Sequence, residues 1–392
     1  MTTSTSTSTS SGTSSGTGDL AAGPPFRAEH VGSLLRPAAV ARARARRAEG
    51  EISAQQLADA EDRAVRDLVR RQADVGLQVA TDGEVRRDFW HEDFIFALEG
   101  VEPDGVGQVP FTGADGEQVL APITGRRVTG PVRLGETVFA DALASLQAAV
   151  AQEGTGATPK LTIPSPNMVH NAFTPIAFDG AYDDEEELRA DVAAAYREQV
   201  ARVHAAGLRY LQLDDVSLTF LGDPQHQERM GLSGAQLQEA VGGFVRQFNA
   251  ALEGRPRDLV VSTHLCRGNF RSAWALSGGY DVVAEQLFND LDVDAYFLEF
   301  DDERSGSLEV LRHLPPGKTV VLGLVTSKTP ELEDPDALRR RIDEAARYAP
   351  LEQLALSPQC GFSSTHEGNA LTEDEQWAKL ARVVDVARSV WG

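Results

Sequence analysis

The chain has 392 residues, 42% of them hydrophobic and 24% charged, and a formal net charge of −22 from 37 Lys and Arg against 59 Asp and Glu. That length suits one large domain or two smaller ones, and the acidic balance excludes the broad basic face that nucleic acids require. No run approaches the ~18 apolar residues of a membrane span, so neither nucleic acid nor membrane is an expected partner.

The chain opens on a Ser/Thr/Gly-rich stretch with no basic start and no apolar segment. It is therefore not a secretory signal, and it cannot bury enough apolar surface to offset its ordering entropy. A disordered tail is expected over residues 1–26, followed by one domain over 27–392. The two cysteines, Cys266 and Cys360, are too few for a secreted disulfide framework, so the expected compartment is the cytoplasm.

From residue 27 onward, short apolar runs alternate with longer amphipathic stretches. Eight strands are predicted, at 27–33, 77–84, 160–165, 210–216, 259–266, 295–301, 319–325 and 353–357. Helices are predicted over 53–75, 185–206, 233–252, 335–348 and 373–390, two of them opened by Asp334-Pro335 and by Thr372 with Glu373 and Glu375. Near-continuous apolar strands such as TVVLGLV need helices on the outside. Eight such units point to an α/β fold, a (β/α)8 TIM barrel. The Gly- and Pro-rich stretch 89–156 reads as an insertion between strands 2 and 3, a hairpin followed by a helix at 140–151. An open doubly wound sheet is the rival, but no G-x-G-x-x-G follows the first strand.

Function on such a barrel sits at the C-terminal ends of the strands. The predicted strand ends carry His30, Gly32 and Ser33; Asp82 and Glu84; Ser165 and Asn167; Asp214 and Asp215; His264 and Cys266; Glu299, Asp301 and Asp302; Lys328; and Cys360. His264 and Cys266 are the sharpest pair, because residues i and i+2 of a strand face one way and can share a metal. Cys360 is the only other thiol, and Glu299 can add an oxygen from the strand between. Glu285 is a rival for that oxygen, but it falls in a helical pattern. A His/Cys/Cys/Glu set suits zinc. Each member alone reads more simply as a buried small hydrophobe or a core histidine; the set of four reverses that balance.

Of the adjacent Asp214 and Asp215, one is expected to face the pocket and the other its rim. Glu84 is either a pocket carboxylate or a loop charge paired with Arg86 or Arg87. His30, His91, His170 and His366 are expected near the rim.

The motifs HVGSLLRP, TDGEVRRDFW, LQLDDVSL, HLCRGNFRS, FLEFDDERSG, LGLVTSKTPELED and SPQCGF, in this order, resemble the cobalamin-independent methionine synthase family. The likeness is to its short members, which correspond to the catalytic C-terminal barrel alone. The resemblance implies zinc held by His264, Cys266, Glu299 and Cys360. It also implies homocysteine contacts at Gly32, Ser33, Glu84 and Asp214. The implied activity is that of an S-methyltransferase resembling 5-methyltetrahydropteroyltriglutamate–homocysteine methyltransferase, with Asp214 and Lys328 as catalytic residues. The acceptor thiolate attacks a methyl group carried by a methyl-folate or a corrinoid protein. The full-length enzymes use an additional N-terminal barrel half for polyglutamylated folate, and a histidine where Lys328 stands here. The epoxyalkane–coenzyme M transferases resemble the same family and supply the second reading. There Lys328, Arg267 or Arg271 would bind a sulfonate, while Glu84 and Asp214 would lose their ammonium partner. A zinc or ligand-binding barrel without catalysis is the third.

Overall fold

The computed structural model describes residues 23–113, 115–170, 176–178 and 180–392, so the first 22 residues of the tail expected over 1–26 lie outside them. In chain order the strands are β1 (Val79–Ala80), β2 (Glu99–Thr112), β3 (Gln118–Arg133), β4 (Thr158–Pro164), β5 (Ile176–Phe178), β6 (Tyr210–Asp215), β7 (Val260–Leu265), β8 (Ala295–Glu299), β9 (Thr319–Val325) and β10 (Leu354–Pro358). Seven of them form one parallel sheet in the order β1-β4-β6-β7-β8-β9-β10.

The first predicted strand fills the eighth position as an extended segment. Ala28 bridges Leu356, and backbone bonds run from Glu29 N to Leu356 O and from Leu356 N to Arg27 O, both 2.9 Å. Farther along, Leu34 N donates to Gly83 O beyond β1. The sheet is thereby curled into the expected barrel, although two of its eight staves make little ladder pairing. Phe26, placed in the tail from sequence, is buried with Val79 and Tyr210.

Side-chain parity divides each stave. Leu161, Leu211, Leu213, Val261, Leu298 and Leu322 point outward into the main core, where the helices cover them. Val31, Phe297, Val321 and Ala355 point inward and form a small apolar plug. The helices begin where their caps predict. Ser53 and Gln56 make a reciprocal capping box on Ala54–Asp74, as do Thr372 and Glu375 on Glu373–Trp391. Asp334 caps Pro335–Ala345, which has proline at its first position.

The insertion is an antiparallel hairpin, β2 with β3, followed by the helix Ala140–Glu153. β5 adds to β3 in parallel, giving a second, three-stranded sheet. The hairpin reaches the loop after β7 through two backbone bonds between Thr112 and Trp274, 2.7 and 2.9 Å. Phe111 meets Phe270 beside them. Among the described residues no helix is long and apolar enough to cross a membrane.

Candidate metal and substrate site

The parity that buries Leu213 and Leu265 outward turns Asp214 and His264 inward. The two are direct neighbours in the β6–β7 register. Two residues further along β7's direction comes Cys266, whose N donates to Asp215 O and so continues the ladder. Glu299 ends β8, and Cys360 lies just past β10.

The ligand atoms of His264, Cys266, Glu299 and Cys360 all lie within 4.8 Å of one another, and all four residues are buried. Cys266 Sγ and Cys360 Sγ are 3.5 Å apart. Two Zn–S bonds of about 2.3 Å at a tetrahedral angle would hold sulfurs at nearly that separation. His264 Nδ1 faces Phe297 O at 3.3 Å, while its Nε2 is buried without a hydrogen-bond partner among the described residues. That orphaned nitrogen and the mixed N/S/O donor set fit zinc.

Electrostatics favour an anionic sulfur here. The hydrogen bond from Cys266 draws the Cys360 thiol well below its usual range, against burial; the same contact pushes Cys266 well above it. Burial alone would lower His264, but Cys360, Asp214 and Glu299 raise it overall.

Next to the four ligands is a cavity of about 20 Å³, lined by Ser33, Glu84, Trp90 and Asp214 together with His264, Cys266 and Cys360. Glu84 has a left-handed backbone, φ 58°, held by Asp82 Oδ1 accepting from its N at 2.9 Å. Its Oε1 accepts from Thr162 Oγ1 at 2.9 Å. Oε2 makes no hydrogen bond among the described residues, and Arg87 Nη1 stands 3.6 Å away. Both reasons proposed for Glu84 therefore meet in one residue: it is a pocket carboxylate and it pairs with Arg87, whereas Arg86 turns to Glu61 and Asp62. Burial, with Glu84 adding to it and His264 opposing, raises the Asp214 carboxyl to about 7.

Gly32 stands behind Glu84. At φ 148° it takes a backbone that disfavours a side chain, and a Cβ there would meet Thr162 at 2.6 Å and Glu84 Oε1 at 3.2 Å. It shapes the wall without lining the cavity. Asp215 is not at the rim as expected. It is fully buried on the outward face, accepting from Ser165, Asn167 and Leu218 N at the start of the helix Ser217–Gly222. Glu285 lies exposed on the helix Ala284–Asp290, away from the ligands. His30 is buried rather than at the rim, and the side chain of His170 is outside the described residues.

Lys328 lines neither this cavity nor the one beside it. Its Nζ donates to Gln359 Oε1 at 2.9 Å, and Gln359 Nε2 donates to Glu299 Oε2 at 2.6 Å. Gln359 was missed from sequence; adjacency to Cys360 in SPQCGF was the one available signal. Also missed was a second cavity of about 100 Å³ that shares Trp90 with the first and reaches Cys266. Its other walls include Phe111 and Ile123 of the hairpin and Phe270. A far larger groove of about 900 Å³ between the helices Ala38–Ala48 and Ala54–Asp74 holds none of the predicted site residues.

A family profile described as "Cobalamin-independent synthase, Catalytic domain" matches residues 26–389. The chain is 46% identical over 374 residues to the Bacillus subtilis protein YxjH, covering 94% of this chain and 95% of that one. It is 24% identical over 362 residues to the Shewanella oneidensis 5-methyltetrahydropteroyltriglutamate–homocysteine methyltransferase. That match covers 92% of this chain but 42% of the enzyme, so the chain spans under half its length. Among solved structures it is similar to a Listeria monocytogenes protein described as a candidate vitamin-B12-independent methionine synthase. The identity is 36%, the TM-score 0.73, and the coverage 94% of this chain and 98% of that one.

Proposed function

The chain belongs to the cobalamin-independent synthase family, as its catalytic domain, and from that premise we propose that it transfers a methyl group to the thiol of homocysteine, giving methionine, with zinc as its metal. One observation carries this reading: four potential metal-ligating atoms lie within 4.8 Å of one another, and three of their residues, His264, Cys266 and Cys360, line one cavity with Glu84 and Asp214.

Bound at His264, Cys266, Glu299 and Cys360, zinc would supply the stabilisation that keeps an acceptor thiol as its nucleophilic thiolate at neutral pH. The chain's own groups do the rest. Glu84 Oε2, free of hydrogen bonds, and Asp214 receive the amino acid's ammonium. The Ser33 hydroxyl and nearby backbone N–H groups receive its carboxylate. Trp90 and the ring of buried side chains keep water from the sulfur. The methyl donor, a methyl-folate or a corrinoid carrier, approaches through the apolar cavity that borders Cys266. The two unbridged thiols suit a reducing compartment, the cytoplasm.

A sulfonate acceptor is disfavoured on two counts. It would sit beside two carboxylates, and Arg267 is already committed to the carbonyls of Gly278 and Ser305 while stacked 4.5 Å over Tyr280.

The test is calorimetric binding of L-homocysteine against coenzyme M, with zinc content measured on the same sample. About one zinc per chain and binding of homocysteine alone support the proposal. A protein that binds coenzyme M instead, or makes methionine equally well after chelation, sinks it.

A further inference from the structure

Gln359 is the only described side chain that hydrogen-bonds both to a member of the metal-ligand cluster and to Lys328. Its orientation is not arbitrary. Three donors converge on its amide oxygen: Ser327 N at 3.3 Å, Ser327 Oγ at 3.2 Å and Lys328 Nζ at 2.9 Å. A backbone N–H and an ammonium can only donate, so the oxygen must face them and the NH2 must face Glu299. There it meets Oε2 at 2.6 Å, while Arg267 N holds Oε1 at 2.7 Å. Both carboxylate oxygens of Glu299 are thus fixed by N–H donors from opposite sides.

The strand between makes the reach possible. Gly323 of β9 lies between Glu299 of β8 and Ser357 of β10 in the ladder. A Cβ on it would meet Gln359 Cα at 2.8 Å, Leu298 O at 2.9 Å and Glu299 Cα at 3.4 Å. Without that side chain, and with the register shift after Ser357, Gln359 crosses β9 to the carboxylate.

We propose that Gln359 is a positioning residue that orients Glu299 for the metal, with Lys328 and Ser327 as its anchor. The role of Lys328 is then to hold an amide rather than to meet substrate. The inference rests on the zinc reading above. An outer partner that fixes a ligand is commonly worth 10–100-fold in metal affinity.

The experiment is zinc competition with a chromophoric chelator on the full chain, together with the visible spectrum of the cobalt-substituted protein. Gln359→Leu is expected to raise the zinc Kd about 10–100-fold and to change the cobalt spectrum, which a merely structural defect would leave alone. Lys328→Met should do less, because Ser327 still holds the amide oxygen. If Gln359→Leu does not fold, the double variant Lys328→Met/Gln359→Leu replaces the buried pair with apolar side chains and gives the same readouts. A zinc Kd within about twofold of wild type, with an unchanged cobalt spectrum, overturns the proposal while leaving the zinc reading intact. A wild-type chain that binds no zinc overturns both.

Discussion

At the lower end of the barrel, Lys160 donates to Glu29 Oε2 at 3.3 Å, to Gln212 Oε1 at 3.1 Å and to the carbonyl of His30. Glu29 Oε1 accepts from Phe26 N and Tyr210 Oη, and Gln212 Nε2 donates to Val31 O. Every group in that cluster has its partner. At the upper end the reverse holds: His264 Nε2, Glu84 Oε2 and Asp82 Oδ2 are equally buried, yet none has a hydrogen-bond partner among the described residues. Buried polar atoms left open cost free energy. Left open beside the converging donor atoms, these three mark where binding energy is to be collected, whereas the lower cluster specifies the fold. Gln212 joins the two regions, since its Nε2 also donates to Asp214 Oδ1 at 2.7 Å.

The largest effect should come from emptying the upper cluster of a ligand. Cys360→Ser is expected to abolish zinc retention and leave less than about 1% of methyl transfer, at near-normal folding. Metal analysis and product assay check this, and retention of both would erase the distinction between the two ends. The lower cluster should respond in the opposite currency. Lys160→Met strands Glu29 as an unpaired buried charge and is expected to cost about 3–5 kcal/mol of stability, read by urea unfolding. In whatever protein folds, the zinc stoichiometry should be unchanged.

Asp214 sharpens the comparison through pH. Its folded pKa is raised from 3.8 to about 7, so the penalty is absent below the unfolded value, grows between the two, and is complete above about 7. At 1.36 kcal/mol per unit this amounts to about 4 kcal/mol. Asp214→Asn should therefore stabilise the metal-free protein more at pH 8 than at pH 5 in paired denaturant titrations; an equal gain at both would contradict the raised pKa. The smallest effect is on binding. Glu84→Gln removes one charged partner of the substrate ammonium, expected to be worth about 1.5–3 kcal/mol, or roughly a 10–150-fold weaker homocysteine Kd. Calorimetry reads this, and unchanged affinity would remove Glu84 from the binding site.

Much of the upper site was legible because it follows strand periodicity. His264 and Cys266 announce a shared face by their spacing, and the remaining ligands stand where neighbouring strands end. Asp215 was misplaced because two adjacent carboxylates look alike in sequence; only strand parity, set by which leucines meet the helices, tells inward from outward. The lower cluster was invisible for a related reason. Lys160 and Glu29 are 131 residues apart, and each alone reads as a solvated charge.

The sequence by itself determined the barrel, the insertion with its hairpin and helix, and the four side chains whose donor atoms converge, because periodicity, capping and rare residue types are local signals. Only the tertiary structure decided that Glu84 lines the cavity beside them while remaining next to Arg87. It alone set Gln359 between Lys328 and Glu299, and brought the hairpin to wall the apolar cavity beside Cys266. Those outcomes depend on how far apart the barrel's staves stand and on which side chains a missing Cβ lets through, distances that exist only once the sheet has closed.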